Sequence, residues 1–571
     1  MKKILSLAAM AATLVLSCTK TVDPTPEPDP KPDPTPSYEA GWPSNYEGVM
    51  LQGFYWDSFA DTQWEYLESM ADDIAPYFSL IWVPNSGFCD THNNMGYLPY
   101  KFFDQTSTFG NEQQLRSMIK AYKDRGTGMI ADVVINHHNS DGWFDFPKES
   151  YKGVEYQFLS TDIVKDDDNG DTARQAASQG RQISANNDTG EGWAGCRDLD
   201  HKSLNVQKIC KAYVDYLKND LGYAGFRYDM VKGYSAMYTG MYNESCKTEF
   251  SVGEYWDGNH AVVEKWIAGT KRNGAIQSAA FDFCFRYTAR DAANNGSWAK
   301  LMDQTSASTD YSRYAVTFVE NHDTEYRAAS APQDPVKKDT LAVNAWLLAN
   351  PGTPCVFYKH WQAYKKDIKL MIAARKMVRV NNQSAFTDLA KQASYVARSV
   401  KGANGSLLVV CGTGYKSYTV PAGYKQILEG HNYKYLVSGD CDTSSWEATV
   451  ARIEEEEKEE PFDGTNATVY VNADFTPVFF YIWDSNNNTQ LNGDWPGKPI
   501  SATETKFGKK WYTQTVPITS SKYYFNMVIS QGKNMPQSED ITRISSDRYY
   551  EATLSDGKVK LTDVTREYEN K

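Results

Sequence analysis

Eight short apolar runs punctuate the first 360 residues, at 49–56, 80–85, 129–137, 222–230, 250–255, 280–285, 316–323 and 354–360. Between most of them apolar residues recur at spacings of three and four, as over 112–125 and 206–219. The runs predict strands and the spacings predict amphipathic helices. Strand alternating with helix eight times predicts an α/β chain closed into a parallel (β/α)8 barrel. The interval 138–221 is too long for one helix and its loops, and it is rich in Asp, Asn and Gly. Long loops in compact domains usually carry function. After Val380 the pattern changes to short apolar runs between Gly-rich turns, as at 406–411 and 434–437, reaching about Arg452. An acidic stretch at 454–460 then reads as a solvated linker or a fraying helix. The last ~105 residues form another unit of short strands, clearest at 468–471, 478–483, 511–516 and 522–529.

Four of the barrel runs turn polar at their carboxyl ends. They are Asp132-Val133-Val134-Ile135-Asn136-His137, Gly225-Phe226-Arg227-Tyr228-Asp229, Ser251-Val252-Gly253-Glu254 and Phe318-Val319-Glu320-Asn321-His322-Asp323. That end of a parallel barrel is where active sites sit. Three runs therefore bring Asp229, Glu254 and Asp323 to one face. Paired carboxylates there are the equipment for cleaving glycosidic bonds; the plainer use of three acids is capping and ion pairing. Arg227 lies two residues before Asp229, on the same side of a strand. Its charge is expected to lower the Asp229 pKa and hold it ionised, as a nucleophile requires. Glu254 would face two anionic neighbours, which keeps it protonated as a general acid.

These four motifs, in this order, resemble those of the family 13 glycoside hydrolases, the α-amylase family. The resemblance runs from about Gly48 to Arg379 and more loosely to about residue 455. The segments Phe226–Ser235 and Pro351–Tyr358 are most similar to plant-type α-amylases and related bacterial ones. The resemblance implies a retaining α-1,4-glucan hydrolase with Asp229 as nucleophile, Glu254 as acid and then base, and Asp323 stabilising the transition state. It implies sugar contacts from Tyr97, His137, His322, Arg227 and Lys232, with Trp256 lining the cleft or merely packing. It also implies a Ca²⁺ ion held by Asn136, Asp198 and the Gly233 carbonyl, an oxygen set that suits this hard cation. The plant-type pattern places another Asp six residues before Asp198, where this chain has Gly192 beside Glu191. Residues of about 138–200 match the family's inserted domain B within a catalytic unit spanning 38–383. Residues 384–453 match its antiparallel β-sandwich domain C. Beyond a linker at 454–465, the unit 466–571 resembles a family 26 starch-binding module. Strand alternation puts Phe479, Tyr481 and Trp483 on one face, either a core or a sugar platform; the resemblance favours Tyr481, Trp483 and Trp495 as a binding set.

Composition adds an address and excludes a partner class. With 59 basic and 72 acidic residues the net charge is −13, and no basic run is present, which argues against nucleic acid. The 38 Tyr, 24 Phe and 15 Trp suit a carbohydrate protein, or simply a large barrel's core. Lys2 and Lys3 precede an apolar run from Ile4 to Leu16, shorter than the ~20 residues of a membrane span. Residues 1–17 read as a signal, and Val15-Leu16-Ser17-Cys18 resembles a lipobox with a lipid-anchored Cys18. The alternating prolines within 18–37 predict an extended stalk. The eight later cysteines show no metal-finger spacing and read as buried thiols, with one or two disulfides left open. The expected partners are starch, amylose and maltooligosaccharides, together with a bacterial membrane, the protein being a monomer. Rival readings are an exo-acting maltodextrin hydrolase or transglycosylase on the same scaffold, and a non-catalytic starch-binding lipoprotein.

Overall fold

The computed structural model describes residues 39–89, 94–328, 331–456, 464–485, 489–520 and 523–568. The signal, lipobox and stalk expectations lie outside them. Eight parallel strands close a barrel: β1 (Met50–Gln52), β2 (Leu80–Trp82), β3 (Gly128–Val133), β4 (Gly225–Tyr228), β5 (Phe250–Gly253), β6 (Ala279–Phe281), β7 (Ala315–Phe318) and β8 (Thr353–Phe357). Each pairs in parallel with the next, and β8 returns to β1 through Met50 opposite Cys355. The strands are shorter than the apolar runs, which continue past the last ladder bond into the loops. Residues 280–285 show the reason most clearly. Asp282 accepts the Phe285 N–H and so starts a helix four residues after the strand begins.

Helices follow the strands and cover the barrel: α1 (Trp64–Ser69), α2 (Glu112–Lys123), α3 (Leu204–Asp215), α4 (Ala236–Cys246), α5 (His260–Gly269), α6 (Phe283–Asn295), α7 (Thr340–Ala349) and α8 (Lys365–Val378). In α2 the Asn111 side chain accepts from the Gln114 N–H while the Gln114 side chain accepts from the Asn111 N–H. That reciprocal cap satisfies two orphan donors of the first turn. Leu115, Met118, Ile119 and Tyr122 then fall on one buried stripe against the barrel.

The chain between β3 and α3 forms short paired segments. His137–His138 pairs with Arg197–Asp198, which folds the long insert back onto the barrel mouth. Five antiparallel strands follow the barrel: β9 (Phe386–Lys391), β10 (Val396–Lys401), β11 (Ser406–Cys411), β12 (Tyr424–Gly430) and β13 (Tyr433–Ser438), in the order β9-β10-β11-β13-β12. They form one sheet, where two were expected. Leu407, Val409, Cys411, Tyr433 and Tyr435 join the barrel core, so the barrel itself supplies the layer that a second sheet would. Ala397, Leu408, Val410 and Leu436 on the other face pack under Tyr415 and Tyr418 of the loop after β11.

The acidic stretch begins inside helix α9 (Trp446–Glu456), whose Glu456 meets Lys369 of α8 at 3.2 Å and accepts from the Tyr77 hydroxyl. The C-terminal unit is a two-sheet sandwich. One sheet has five strands, among them 465–473 and 509–518, and the other has four, among them Phe479–Asp484 and Phe525–Ser530. Val469, Val471, Phe480, Ile482, Met527 and Ile529 form its core. The eight described cysteines are free thiols, five of them buried.

Candidate active site

Arg227 is the centre of the site. Its side chain rises from β4 into the barrel, fully buried, and β4 lies between β3 and β5. One guanidinium nitrogen donates to Asp132 Oδ1 at 2.7 Å and to Asp229 Oδ1 at 2.9 Å. The other lies 2.8 Å from Glu254 Oε2. The guanidinium also lies over the Trp82 ring, 4.9 Å from its centroid. Main-chain bonds fix both carboxylates just beyond the ladder, with the Asp229 N–H on Val133 O and the Glu254 N–H on Tyr228 O. Glu254 Oε2 also accepts the Met230 N–H at 3.1 Å. Met230 holds φ 42°, a left-handed conformation rare for a side chain of its type, which turns the chain back over Glu254.

The arrangement corrects one expectation. Arg227 was expected to hold Asp229 at a low pKa. Burial instead pushes the Asp229 carboxyl well up; Arg227 opposes this, while Glu254, Asp132 and Asp323 reinforce it. A single guanidinium is divided among three carboxylates and cannot offset all of them. Glu254 is raised by burial and by Asp323 against the pull of Arg227, the direction a general acid needs.

Asp323 follows β7. Its Oδ2 is 3.2 Å from His322 Nε2 and its Oδ1 is 3.2 Å from an Arg327 nitrogen. Gln52 on β1 donates to His322 Nδ1 at 3.0 Å, which leaves the ring proton on Nε2. His322 Nε2 meets the Tyr97 hydroxyl at 2.7 Å, and that hydroxyl donates to Asp132 Oδ2 at 3.1 Å. Burial and the nearby Arg227 and Arg327 keep His322 neutral. Tyr97 lies parallel to Trp56 (6.2 Å, 6°) and to His322 (5.5 Å, 15°).

The structure thus gathers Asp229, Glu254, Asp323, Arg227, His322 and Tyr97 into one connected set. His137 reaches the same mouth but is engaged within the protein. Its Nε2–H donates to the Tyr97 carbonyl, Nδ1 faces the Asn136 amide, and Trp193 stacks on the ring at 4.1 Å. Lys232 lies 3.4 Å from Asp257 and 3.5 Å from Glu191. Trp256 is 38% exposed, rests on Phe283 and donates to the Tyr287 hydroxyl. Sequence reading passed over Asp132, Trp56, Arg327 and Trp193. Asp132 was legible as the first acid of its motif; the other three are placed only by loop packing.

The residues expected at the cation also converge. Asn136 and Asp198 are buried, and the Asn136 amide meets Asp198 Oδ1 at 3.3 Å. A Cβ on Gly233 would lie 1.9 Å from Asn136 Oδ1, so the backbone there presses against that side chain. Burial, with Asp167 and Asp188 nearby, pushes Asp198 up to about 8 despite the Trp193 N–H it accepts. Asp188 Oδ2 is buried without a hydrogen-bond partner among the described residues. Among those residues no three His, Cys, Asp or Glu side chains group as a metal site. Calcium also takes amide and main-chain oxygens. Buried Asp198 and the buried Oδ2 of half-buried Asp188, with an amide oxygen and a carbonyl beside Asp198, are a donor set of the type that suits such an ion. Gly192, where another Asp was expected, has its Cβ position 3.6 Å from Asp198 Oδ2.

In the C-terminal sandwich Tyr481 and Trp483 alternate with buried Phe480 and Ile482 and stay out of the core. Their rings lie 5.4 Å apart, and Trp495 meets Tyr481 edge-on at 5.3 Å.

The family model described as the α-amylase catalytic domain matches residues 78–394. The chain is 29% identical over 339 residues to "Probable alpha-amylase 2" of Arabidopsis thaliana, covering 56% of this chain and 77% of the relative. It is 24% identical over 392 residues to the α-amylase of Bacillus licheniformis, covering 59% and 76%. It is 27% identical over 399 residues to the glucan 1,4-alpha-maltotetraohydrolase of Stutzerimonas stutzeri, covering 63% and 67%. The crystal structure of an α-amylase from Geobacillus thermoleovorans superposes with a TM-score of 0.50 at 15% identity, covering 70% of this chain and 98% of that one, and shares the fold. With a matched catalytic domain over more than half its length and a barrel whose acids meet at one mouth, this chain belongs to the α-amylase family and is a glycoside hydrolase.

Proposed function

We propose that the protein is a retaining, endo-acting α-amylase of the plant-type-like subgroup, cutting internal α-1,4 bonds of starch, amylose and maltooligosaccharides. One observation carries the retaining part: a single guanidinium touches both Asp229 and Glu254. That supports the short carboxyl spacing of about 5–5.5 Å used for retention over the roughly 6.5–9.5 Å of inversion. Glu254 gives its proton to the glycosidic oxygen as Asp229, in the ionised form that Arg227 favours against burial, bonds to the anomeric carbon, and the leaving chain departs with a new hydroxyl. Glu254, now anionic, takes a proton from water. That water displaces Asp229 and restores the α configuration. Asp323, with His322 and Tyr97, holds the sugar ring as positive charge develops. Asp229→Asn is expected to lower kcat by about 10⁴-fold or more with an unchanged melting curve; an active variant would falsify the assignment. Polarimetry on a short maltooligosaccharide should show α-anomeric product first. On amylose, a fast drop in iodine staining per reducing end indicates endo action; steady release of one short product indicates the exo alternative.

Asn136, Asp188, Asp198 and the Gly233 carbonyl would hold Ca²⁺, whose charge would offset the two acids and tie the 138–200 insert to the barrel. Chelation is expected to lower the melting temperature and readdition of calcium to restore it. A melting curve indifferent to chelator would remove the ion from this reading. The half-buried trio Tyr481, Trp483 and Trp495, set outside the sandwich core, supports a starch-binding module. The lipobox supports a membrane-tethered enzyme, and Cys18→Ala should move it from the membrane fraction to the soluble one.

A further inference from the structure

Arg327 is four residues beyond Asp323, in the short strand Tyr326–Ala328 that closes the turn after β7. One of its terminal nitrogens donates to the His322 carbonyl at 2.6 Å and to Asp323 Oδ1 at 3.2 Å. The guanidinium lies over the Trp56 ring, 3.9 Å from its centroid. Trp56 is itself locked to the same turn, its N–H donating to Glu325 Oε1 at 2.7 Å, and Glu325 pairs with Lys359. The Trp56 ring is parallel to His322 (6.2 Å, 11°). Arg327 Nε is buried with no acceptor among the described residues. A buried unmet donor costs stability, so the placement is not explained by stability alone.

We propose that Arg327 is a positioning residue for Asp323: clamped between the Trp56 ring and the 322–327 turn, it orients that carboxylate toward the sugar and supplies its second positive neighbour. This rests on the reading that Asp323 stabilises the transition state. The charged and titratable groups around Asp323 are Arg227, Asp229 and Glu254 from β4 and β5, Tyr97, the neutral His322, and Arg327. Burial raises Asp323, and only Arg227 and Arg327 oppose it. Arg227 is already divided among three acids, so Arg327 is the cation given over to Asp323. Removing it leaves Asp323 to protonate at higher pH.

The test compares kcat and kcat/KM against pH on maltoheptaose for wild type, Arg327→Gln and Arg327→Lys, with melting curves for each. For the glutamine variant kcat is expected to fall between about tenfold and a hundredfold with KM little changed. Its acid limb should move up by about one pH unit. Lysine keeps the charge and should return the limb to the wild-type position. If the glutamine variant does not fold, Arg327→Met, which keeps apolar packing on Trp56, takes its place. An unmoved acid limb in a folded neutral variant, or a lysine variant shifted as far as the neutral one, overturns the proposal. Asp323→Asn separates the two layers: an active Asp323→Asn sinks the underlying role, whatever Arg327 does.

Discussion

Arg227 carries more of this site than any other residue, because three carboxylates depend on its two terminal nitrogens. Lysine would keep the charge and lose the fork. Arg227→Lys is therefore expected to cost about 3–5 kcal/mol of stability, the scale for breaking a buried pair, and to abolish starch hydrolysis. Urea unfolding checks the first part; a midpoint near wild type would show that the fork is dispensable. His201 gives the pH dependence a sign. It is buried between the Tyr242 hydroxyl and the Ile135 carbonyl, and burial lowers its pKa to about 4. A base depressed in the fold stabilises above its unfolded value of about 6.5 and loses that contribution as pH falls towards 4. The melting temperature should drop across this window, and less steeply in His201→Gln. Equal slopes would assign the acid loss elsewhere.

At the scale of elements, specific joints hold the insert to the barrel. Ser203 caps α3 by accepting from the Asn205 and Val206 N–H groups, and its hydroxyl donates to Asp162 of the insert at 2.6 Å. Ser203→Ala should cost about 1–2 kcal/mol, read from chemical denaturation; no measurable change would mean that the cap is redundant. Gly233 is the tighter joint. A methyl group there would collide with Asn136, so Gly233→Ala should abolish the calcium-dependent rise in melting temperature. A variant that still responds to calcium would show that the carbonyl is not a ligand. The motif-bearing loops were legible because each begins as an apolar strand and turns polar within one or two residues. The single sheet after the barrel was not, since alternation marks a buried face without naming what buries it.

For the whole molecule, the catalytic barrel and the C-terminal sandwich have separate cores. Their functions should separate too. Replacing Tyr481 and Trp483 together by Ala is expected to weaken adsorption to granular starch by about tenfold or more, at roughly 0.5–1.5 kcal/mol per lost stacking ring, and to leave hydrolysis of maltoheptaose unchanged. Unchanged adsorption would make the trio an ordinary surface feature.

By itself the sequence determined the barrel, the strand ends that carry Asp229, Glu254 and Asp323, and that Tyr481 and Trp483 share one face of a strand. These follow from periodicity, which is local and set by backbone geometry. Only the tertiary structure decided how charge is distributed. It divided Arg227 among three acids, stacked Trp56 under Arg327, and set Asp188 near Asp198. Those outcomes depend on distances between groups far apart in the chain and on the water excluded between them, and neither is written in the spacing of residues.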